Sequence, residues 1–512
     1  MALPEPVYLD YAATTPVDPA VAEAMARAMM EPAGIGNASS ATHLFGRRVR
    51  ERIESARAEV AALIGAAAEE IVFTSGATES NNLALLGVAR ANVHRGRHIV
   101  SSRIEHRAVL DPLRRLQKEG FTVTLLAPDR TGRVDPDGVA AALRPDTILT
   151  SIMLVNNEIG VIQDVAAIGS LCRERGVLFH SDAAQAAGKI ALDVGKLPVD
   201  LMSVTAHKLY GPKGVGALYV RRDVRAHVQP ITFGGGQERG LRPGTLPTHQ
   251  IIGFGVACER ARGGLPAEQQ RLAGLRERLW QGLATLGGVH LNGEGVPCVP
   301  GILNLSFEGV EGESLVTGLR ELAVSTGSAC NSASAEPSYV LRALGRDTQL
   351  AQSSLRLSFG RFSAPEHIDL AVEAIRREVM RLRTLSPASE HAEDAQRGPG
   401  GAVPRGTPDS GGATEVVGEA GGPGQEVWVR FRLRLENGIV KKALFKAYGC
   451  PHTLGVAAWV AERLRGRSLA DLAPGTPAEW AETLAVPVEK LGRLLVIEDA
   501  LADCARRWPE PR

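Results

Sequence analysis

The sequence predicts an α/β protein built on a mostly parallel sheet with helices on both faces, followed by a smaller C-terminal α+β piece. Three observations carry that expectation. Over residues 1–387, short runs rich in β-branched residues alternate with helical patterns, the rhythm of strand–helix–strand units. From about 388 to 425 the composition changes: His391–Gly424 holds ten Gly and four Pro in 34 positions and no aromatic residue. Beyond it, alternating apolar positions return around the pair Asn437-Gly438, the mark of a β-hairpin.

Taken in order, EEIVFTS reads as a strand running into the helical ATESNNLALLGVARA. RHIVSS, FTVTLLA, TILTSIMLV, GVLFHSD and DLMSVTA read as further strands. Sheets of this kind gather ligands at the carboxyl ends of their strands. Residues 388–425 are expected to form a flexible linker, since they cannot bury enough surface to offset their ordering entropy. Residues 426–512 then form the C-terminal piece, with the hairpin followed by helical GVAAWVAERLRGR and EKLGRLLVIEDALADCARRW.

The chain has 512 residues, enough for two to four domains. Lys plus Arg number 58 and Asp plus Glu 57, a formal net charge of +1. That balance excludes a global electrostatic case for nucleic acid or an acidic membrane surface. The six cysteines, at 172, 258, 298, 330, 450 and 504, are far apart and include no C-x-x-C pair. Neither a disulfide framework nor a zinc knuckle is expected, and a reducing compartment is the default. The N-terminus lacks the basic and apolar regions of a signal peptide, and no apolar run approaches a membrane span. A cytoplasmic protein without membrane or nucleic-acid partners is therefore expected, and no resident metal.

Chemistry concentrates at strand ends. Lys208 follows the strand DLMSV in TAHKLYGPKG, where a lysine among small residues can form an imine with an aldehyde cofactor. A solvated loop lysine is the plain alternative. Asp182 ends the run GVLFHSD and suits the protonated nitrogen of a pyridine ring, or else caps a helix starting at AAQAAGK. Thr74–Thr78 joins a strand to a helix and suits a phosphate at a helix N-terminus, or plain capping. His106 follows the strand HIVSS, where an imidazole can lie over a ring or move protons; a surface histidine is the alternative. Turn, His, Asp and Lys on successive strand ends form a combination that chance rarely produces.

The segments YLDYAATTP, FTSGATESNN, EHRAVL, VNNEIGVIQD, SDAAQAAGK, TAHKLYGPKG, ERGLRPGTLP, STGSACNSAS and SSLRLSFGRF together resemble the IscS/NifS-type cysteine desulfurases, fold-type I pyridoxal-phosphate enzymes of the class V aminotransferase family. The resemblance spans about residues 7–387. It implies a large domain (about 17–255) with a seven-stranded, mostly parallel sheet and a small α/β domain (1–16 and about 256–387). It implies pyridoxal 5'-phosphate joined to Lys208, Asp182 on the pyridine nitrogen, Gln185 on the phenolic oxygen and His106 stacked on the ring. Ala77, Thr78, Thr205 and His207 would bind the phosphate. Thr245 would reach the phosphate of a neighbouring subunit, which makes a homodimer. Asn157 would contact the cofactor and, with Arg356, hold the substrate carboxylate, a task that suits a bidentate guanidinium.

Cys330 sits in STGSACNSAS, a run of small polar residues that suits a mobile, exposed loop. The resemblance makes it the thiolate that takes sulfur from L-cysteine as a persulfide, leaving alanine, after Lys208 or His106 has removed the α-proton. Sulfur-acceptor proteins, an iron–sulfur scaffold among them, would be partners. Selenocysteine lyase, transamination and a silent sulfur-trafficking role compete with this reading. Ala206, Thr326 and Ala38 depart from the family pattern without removing a functional group. Cys172, Cys258 and Cys298 read as structural thiols.

The C-terminal piece is similar, in FKAYGC, AERLRGRSL and VIEDAL, to IscU/NifU-type iron–sulfur scaffolds. Such a site needs three cysteines with an Asp and a His. Here only Cys450 remains, Gly424 and Glu426 stand near the first cysteine and the aspartate, and Gly492-Arg493 replaces the His-Cys pair. One thiolate and a carboxylate do not close a soft-ligand site. A degenerate docking or regulatory module, a sulfur acceptor at Cys450, and an inert packing or dimer element are all open.

Overall fold

Strands buried on both faces need a covering layer on each side of their sheet, and the central sheet follows from that. The computed structural model describes residues 5–31, 35–326, 337–386, 413–422, 426–468 and 471–507. After the short β1 (Val7–Tyr8), seven strands form the sheet: β2 (Ile71–Thr74), β3 (His98–Ser102), β4 (Thr122–Leu126), β5 (Thr147–Ser151), β6 (Leu178–Asp182), β7 (Leu201–Thr205) and β8 (Gly216–Val220). Their order is β2-β8-β7-β6-β5-β3-β4. Only β8 runs antiparallel to its neighbours. Every residue of β2, β3 and β5 to β8 is buried, whereas the edge strand β4 is half exposed.

Two apolar layers sandwich this sheet. On one face lie Leu83 and Val88 of α3 (Ala77–Ala91) with Val109 and Leu113 of α4 (Arg107–Lys118). On the other lie Val49 and Ile53 of α2 (Leu44–Ile64), Ile168 of α6 (Val165–Glu174) and Phe254 of α7 (Thr248–Ala284). The short α1 (Pro19–Met30) and α5 (Pro136–Ala142) complete this part. Full burial of each such side chain contributes about 1.5–3 kcal/mol. All five strands read from the sequence after β2 are present, and so is the helix after β2. The strand β8 was not foreseen, because GVGALYV lies between glycines and carries no β-branched alternation.

A second sheet has the antiparallel order β12-β13-β10-β9, formed by β9 (Val289–Leu291), β10 (Ile302–Phe307), β12 (Ser325–Thr326) and β13 (Ser354–Ser358). The strand β11 (Leu322–Ala323) pairs in parallel with β1, and Asp10 bridges to Ser358. Helices α8 (Gly312–Gly318), α9 (Tyr339–Ala343), α10 (Thr348–Gln352) and α11 (Pro365–Leu385) complete the unit. Leu303, Leu305, Phe307, Leu355, Ile375 and Val379 form its core with Leu279 from the end of α7. The 37-residue α7 thus runs through both cores, so the point near 255 expected as a boundary lies inside one helix.

The linker expectation is corrected at its C-terminal end. Residues Ala413–Gly422 form β14, which pairs with β15 (Val427–Glu436) over its whole length, and β15 pairs with β16 (Ile439–Tyr448). The glycines here serve packing. A Cβ on Gly418 would lie 2.2 Å from the Cys504 backbone nitrogen and 2.6 Å from the Ala500 carbonyl oxygen. Glycine lets the helix α14 (Leu491–Arg506) lie directly on the strand. The hairpin is as expected: Asn437 (φ 52°) and Gly438 (φ 73°) make its two-residue turn. With α12 (Pro451–Arg463) and α13 (Pro477–Thr483), the sheet encloses Phe431, Leu433, Val456, Trp480 and Leu494.

The C-terminal unit is seated on the second sheet's helices. Ser314 Oγ in α8 donates to the Gly449 carbonyl at 2.8 Å, Lys490 pairs with Glu313 at 2.9 Å, and Leu454 packs onto the second core. Among the described residues, no helix is long and apolar enough to cross a membrane.

Candidate active site

The turn from β2 to α3 is set by Gly76 (φ 151°), which brings the backbone close to the end of β7. A Cβ there would stand 3.7 Å from Thr205 Oγ1, and a Cβ on Gly216 would fall 2.7 Å from the Gly76 Cα. Ala77 and Thr78 open α3, so its unpaired first-turn N–H groups point into this corner. Thr205 Oγ1 is buried and has no hydrogen-bond partner among the described residues. An oxyanion meeting the helix terminus and this hydroxyl would satisfy both. Glu79, also in the first turn, accepts from the Ser75 N–H at 2.6 Å and pairs with Arg242 at 2.9 Å, which neutralises it. Burial raises its pKa, and these hydrogen bonds more than offset that to hold it below the usual carboxylate range.

Asp182 ends β6 and is buried. Its Oδ2 accepts from Asn81 Nδ2 at 2.7 Å and its Oδ1 from the Ala184 N–H at 2.9 Å. The residues after it form turns, not the helix its capping role would need. Asn81 was missed. The signal was a polar residue on the apolar stripe of α3, one turn after Thr78.

His106 caps α4. Its Nδ1 accepts from the Ala108 N–H at 3.0 Å, which leaves the proton of the neutral ring on Nε2. Burial first, then the nearby Lys208 charge, hold its pKa below the ordinary value. Lys208 lies in the tight turn Ala206–Lys208 directly after β7. Burial and the charges of Lys208, Lys213 and Lys189 push His207 down to about 4, and its Nδ1 lies 3.2 Å from Thr14 Oγ1. Gln185 Nε2 donates to the Ala12 carbonyl at 2.7 Å.

From the second sheet comes Arg356, in the middle of β13 and buried. Its Nη1 donates to the Asn157 carbonyl at 3.0 Å and its Nη2 to Asp10 Oδ1 at 2.8 Å. Its Nε and the Asn157 side-chain Oδ1 are buried without partners among the described residues. Asp10 was also missed, since its pairing with a residue 346 positions away leaves no local trace.

Thr245 stands apart. It is exposed in the loop before α7, outside the cluster within one chain, and that loop is tied to α3 through Arg242 and Glu79. Cys330 lies outside the described residues. The chain before that segment ends at Thr326, opposite Leu355 and next to Arg356's partner Ser325. The chain after it is held by Tyr339 Oη, which donates to the Glu105 carbonyl at 2.7 Å, and by Ser338, bonded to the buried Glu158.

The expected residues therefore converge, apart from Thr245 and the undescribed Cys330. The charges of Lys208 and Asp182 reach His106, those of Lys208 and Arg356 reach Lys189, and Thr205 stands beside the anion corner at Gly76. The orphaned Thr205 Oγ1, Asn157 Oδ1 and Arg356 Nε are the groups that a phosphorylated pyridine aldehyde and an amino-acid substrate would satisfy. The residues present fit pyridoxal 5'-phosphate.

Comparison with known proteins agrees. Residues 7–370 match the model of the aminotransferase class-V family. The chain belongs to that family. Over 385 residues it is 55% identical to the cysteine desulfurase IscS of Escherichia coli K12/DH10B, covering 75% of this chain and 95% of that protein. The IscS of Shigella boydii matches equally. Among solved structures, a NifS-like protein is 37% identical with a TM-score of 0.67, covering 73% of this chain and 98% of its own. SspA in complex with cysteine is 37% identical with a TM-score of 0.63, covering 70% and 99%. This class V family member is a cysteine desulfurase, an enzyme that depends on pyridoxal 5'-phosphate.

Proposed function

We propose that the body converts L-cysteine to L-alanine and places the sulfur on Cys330 as a persulfide, for transfer to acceptor proteins in iron–sulfur cluster assembly or other thiolation. The gathering of Lys208, Asp182 and His106 just after strands of the central sheet, with Arg356 brought in from the second sheet, carries this reading. When bound, pyridoxal phosphate supplies an electron sink. Ala77, Thr78, Thr205 and His207 hold its phosphate, Asp182 its ring nitrogen and Gln185 its phenolic oxygen. His106 would pack against the ring. Arg356 and the Asn157 amide receive the substrate carboxylate, the spare Nε being the free donor.

The tautomer of His106 bears on proton transfer. With Nδ1 capping α4 and Nε2 protonated, the ring is a donor, so Lys208 takes the α-proton. The Cys330 thiolate then attacks the substrate sulfur. A new S–S bond forms as the Cβ–S bond breaks, its electron pair stays with the carbon, and protonation yields alanine.

The domain division in this reading is a large domain (about 17–255), a small domain (1–16 and about 256–387) and a C-terminal domain that starts at Ala413. The enzyme works as a cytoplasmic homodimer in which Thr245 reaches the neighbour's phosphate. Exposed apolar side chains, Ile35, Phe45 and Phe233 at 85% exposure among them, suit a subunit interface. The C-terminal domain is a degenerate scaffold-like module with a docking or regulatory role. Cys450 is fully buried at the N-terminus of α12, and Arg493 bonds both it and Glu426, which speaks against sulfur acceptance.

The test is product analysis from L-cysteine. Purified holoprotein yields alanine and sulfide in the presence of a thiol reductant, and Cys330→Ala keeps the yellow cofactor but stops sulfide release. Normal sulfide production by Cys330→Ala overturns the role of that residue.

A further inference from the structure

Lys208 is not the only lysine at this end of the site. Lys189, in the turn after β6, donates from Nζ to Gln185 Oε1. That contact decides which end of the amide is which: reversed, the Gln185 NH2 group would face an ammonium. Nε2 is thereby fixed as the donor end, now spent on the Ala12 carbonyl at 2.7 Å. The Lys189 backbone is itself held, its carbonyl accepting from Gln269 Nε2 of α7 at 2.7 Å.

The surroundings of the Lys189 ammonium leave its charge poorly screened. With Lys208, Tyr11, Tyr210 and Glu268 it lines a cavity of about 30 Å³. Among the described residues, Lys208, Arg356 and His207 are basic groups that face it and Glu268 is an acidic one. Glu268 is already engaged by Tyr210 Oη at 2.9 Å and by Arg361 at 3.4 Å, and Arg356 by Asp10. Burial, then the charges of Lys208 and Arg356, push Lys189 down to about 7, so its ammonium form is complete only below that pH.

We propose that Lys189 is a positioning residue of the desulfurase, whose ammonium fixes Nε2 as the donor end of the Gln185 amide, one N–H on the Ala12 carbonyl and the second left for the cofactor, and sets a second positive charge beside Lys208. The inference rests on the roles given above to Lys208 and Gln185. A neighbouring positive charge makes a proton on the Lys208 nitrogen easier to lose.

The experiment is a pH titration of the visible absorbance of full-length holoprotein without substrate. Lys189→Met raises the midpoint of the lysine-linked chromophore by about 1 pH unit, and Lys189→Arg, which keeps the charge, restores it. Should the Met variant fail to fold, Lys189→Gln supplies the same reading. A midpoint equal to wild type in the neutral variant overturns the proposal, as does an Arg midpoint as high as that of the neutral variant. Lys208→Ala separates the two levels. If its pH-dependent band persists, the assignment of Lys208 fails; if that band is lost while the neutral Lys189 variant titrates as wild type, only the role of Lys189 fails.

Discussion

Asp182 and Asn81 meet at 2.7 Å, although 101 positions separate them in the chain. The helix that opens the anion corner thus also braces the carboxylate meant for the pyridine nitrogen. Asn81→Ala leaves Asp182 with the hydrogen bond from the Ala184 N–H. A hydrogen bond to a charged group is worth about 1.5–3 kcal/mol. Asn81→Ala should therefore lower kcat/KM for L-cysteine about 10-fold or more on that scale, and Asp182→Ala should lower it further. Alanine formation under steady state checks both.

Arg356 is anchored twice, by Asp10 and by the Asn157 carbonyl, before any substrate arrives. Arg356→Lys keeps the charge and loses the planar fork, so it should raise KM for cysteine about 10-fold or more, a loss typical of charged hydrogen bonds. Asp10→Asn should move KM in the same direction by less. A wild-type KM in Arg356→Lys would remove this residue from carboxylate binding.

His180 lies in the middle of the sheet, its ring nitrogens 2.8 Å from Ser151 Oγ and 3.0 Å from Ser203 Oγ. Burial pushes it down to about 4. The unfolded chain takes up a proton near pH 6.5 and the folded chain does not. Its contribution is therefore complete above that pH and is lost as pH falls toward 4, a matter of about 2 kcal/mol at pH 5. Glu105, raised to about 8 chiefly by burial, acts in the opposite sense: it favours the fold at low pH and less as pH rises above 4.5. Urea unfolding of wild type and His180→Gln at pH 7.5 and pH 5 isolates the histidine, and the gap between them should narrow at pH 5.

Leu454 is the apolar residue of α12 that packs onto the second core, beside the Ser314–Gly449 and Lys490–Glu313 contacts. Leu454→Asp should release the C-terminal unit from the body. Limited proteolysis is the measurement: cleavage between body and C-terminal unit accelerates several-fold, while the cofactor absorbance of the body is unchanged.

The strand ends were legible because local chemistry marks them. A β-branched run followed by Gly, Ser, Asp or Lys announces both a strand and the polar group at its end, and Asp182, His106 and Lys208 were read that way. Asn81, Asp10 and Lys189 were not, because each acts through a partner brought in by folding. The glycine-rich stretch misled for a related reason. GEAGG has the composition of a linker, yet Gly418 is small because Cys504 and Ala500 lie against it.

The order of residues alone determined the alternating strands and helices, the hairpin at Asn437-Gly438, and the functional types at the strand ends. These depend on periodicity and on groups close in the chain. Tertiary structure decided which polar groups pair, which stay buried and unsatisfied, and where the C-terminal unit sits. Those outcomes turn on contacts between residues tens to hundreds of positions apart, whose cost or gain exists only once water has been excluded between them.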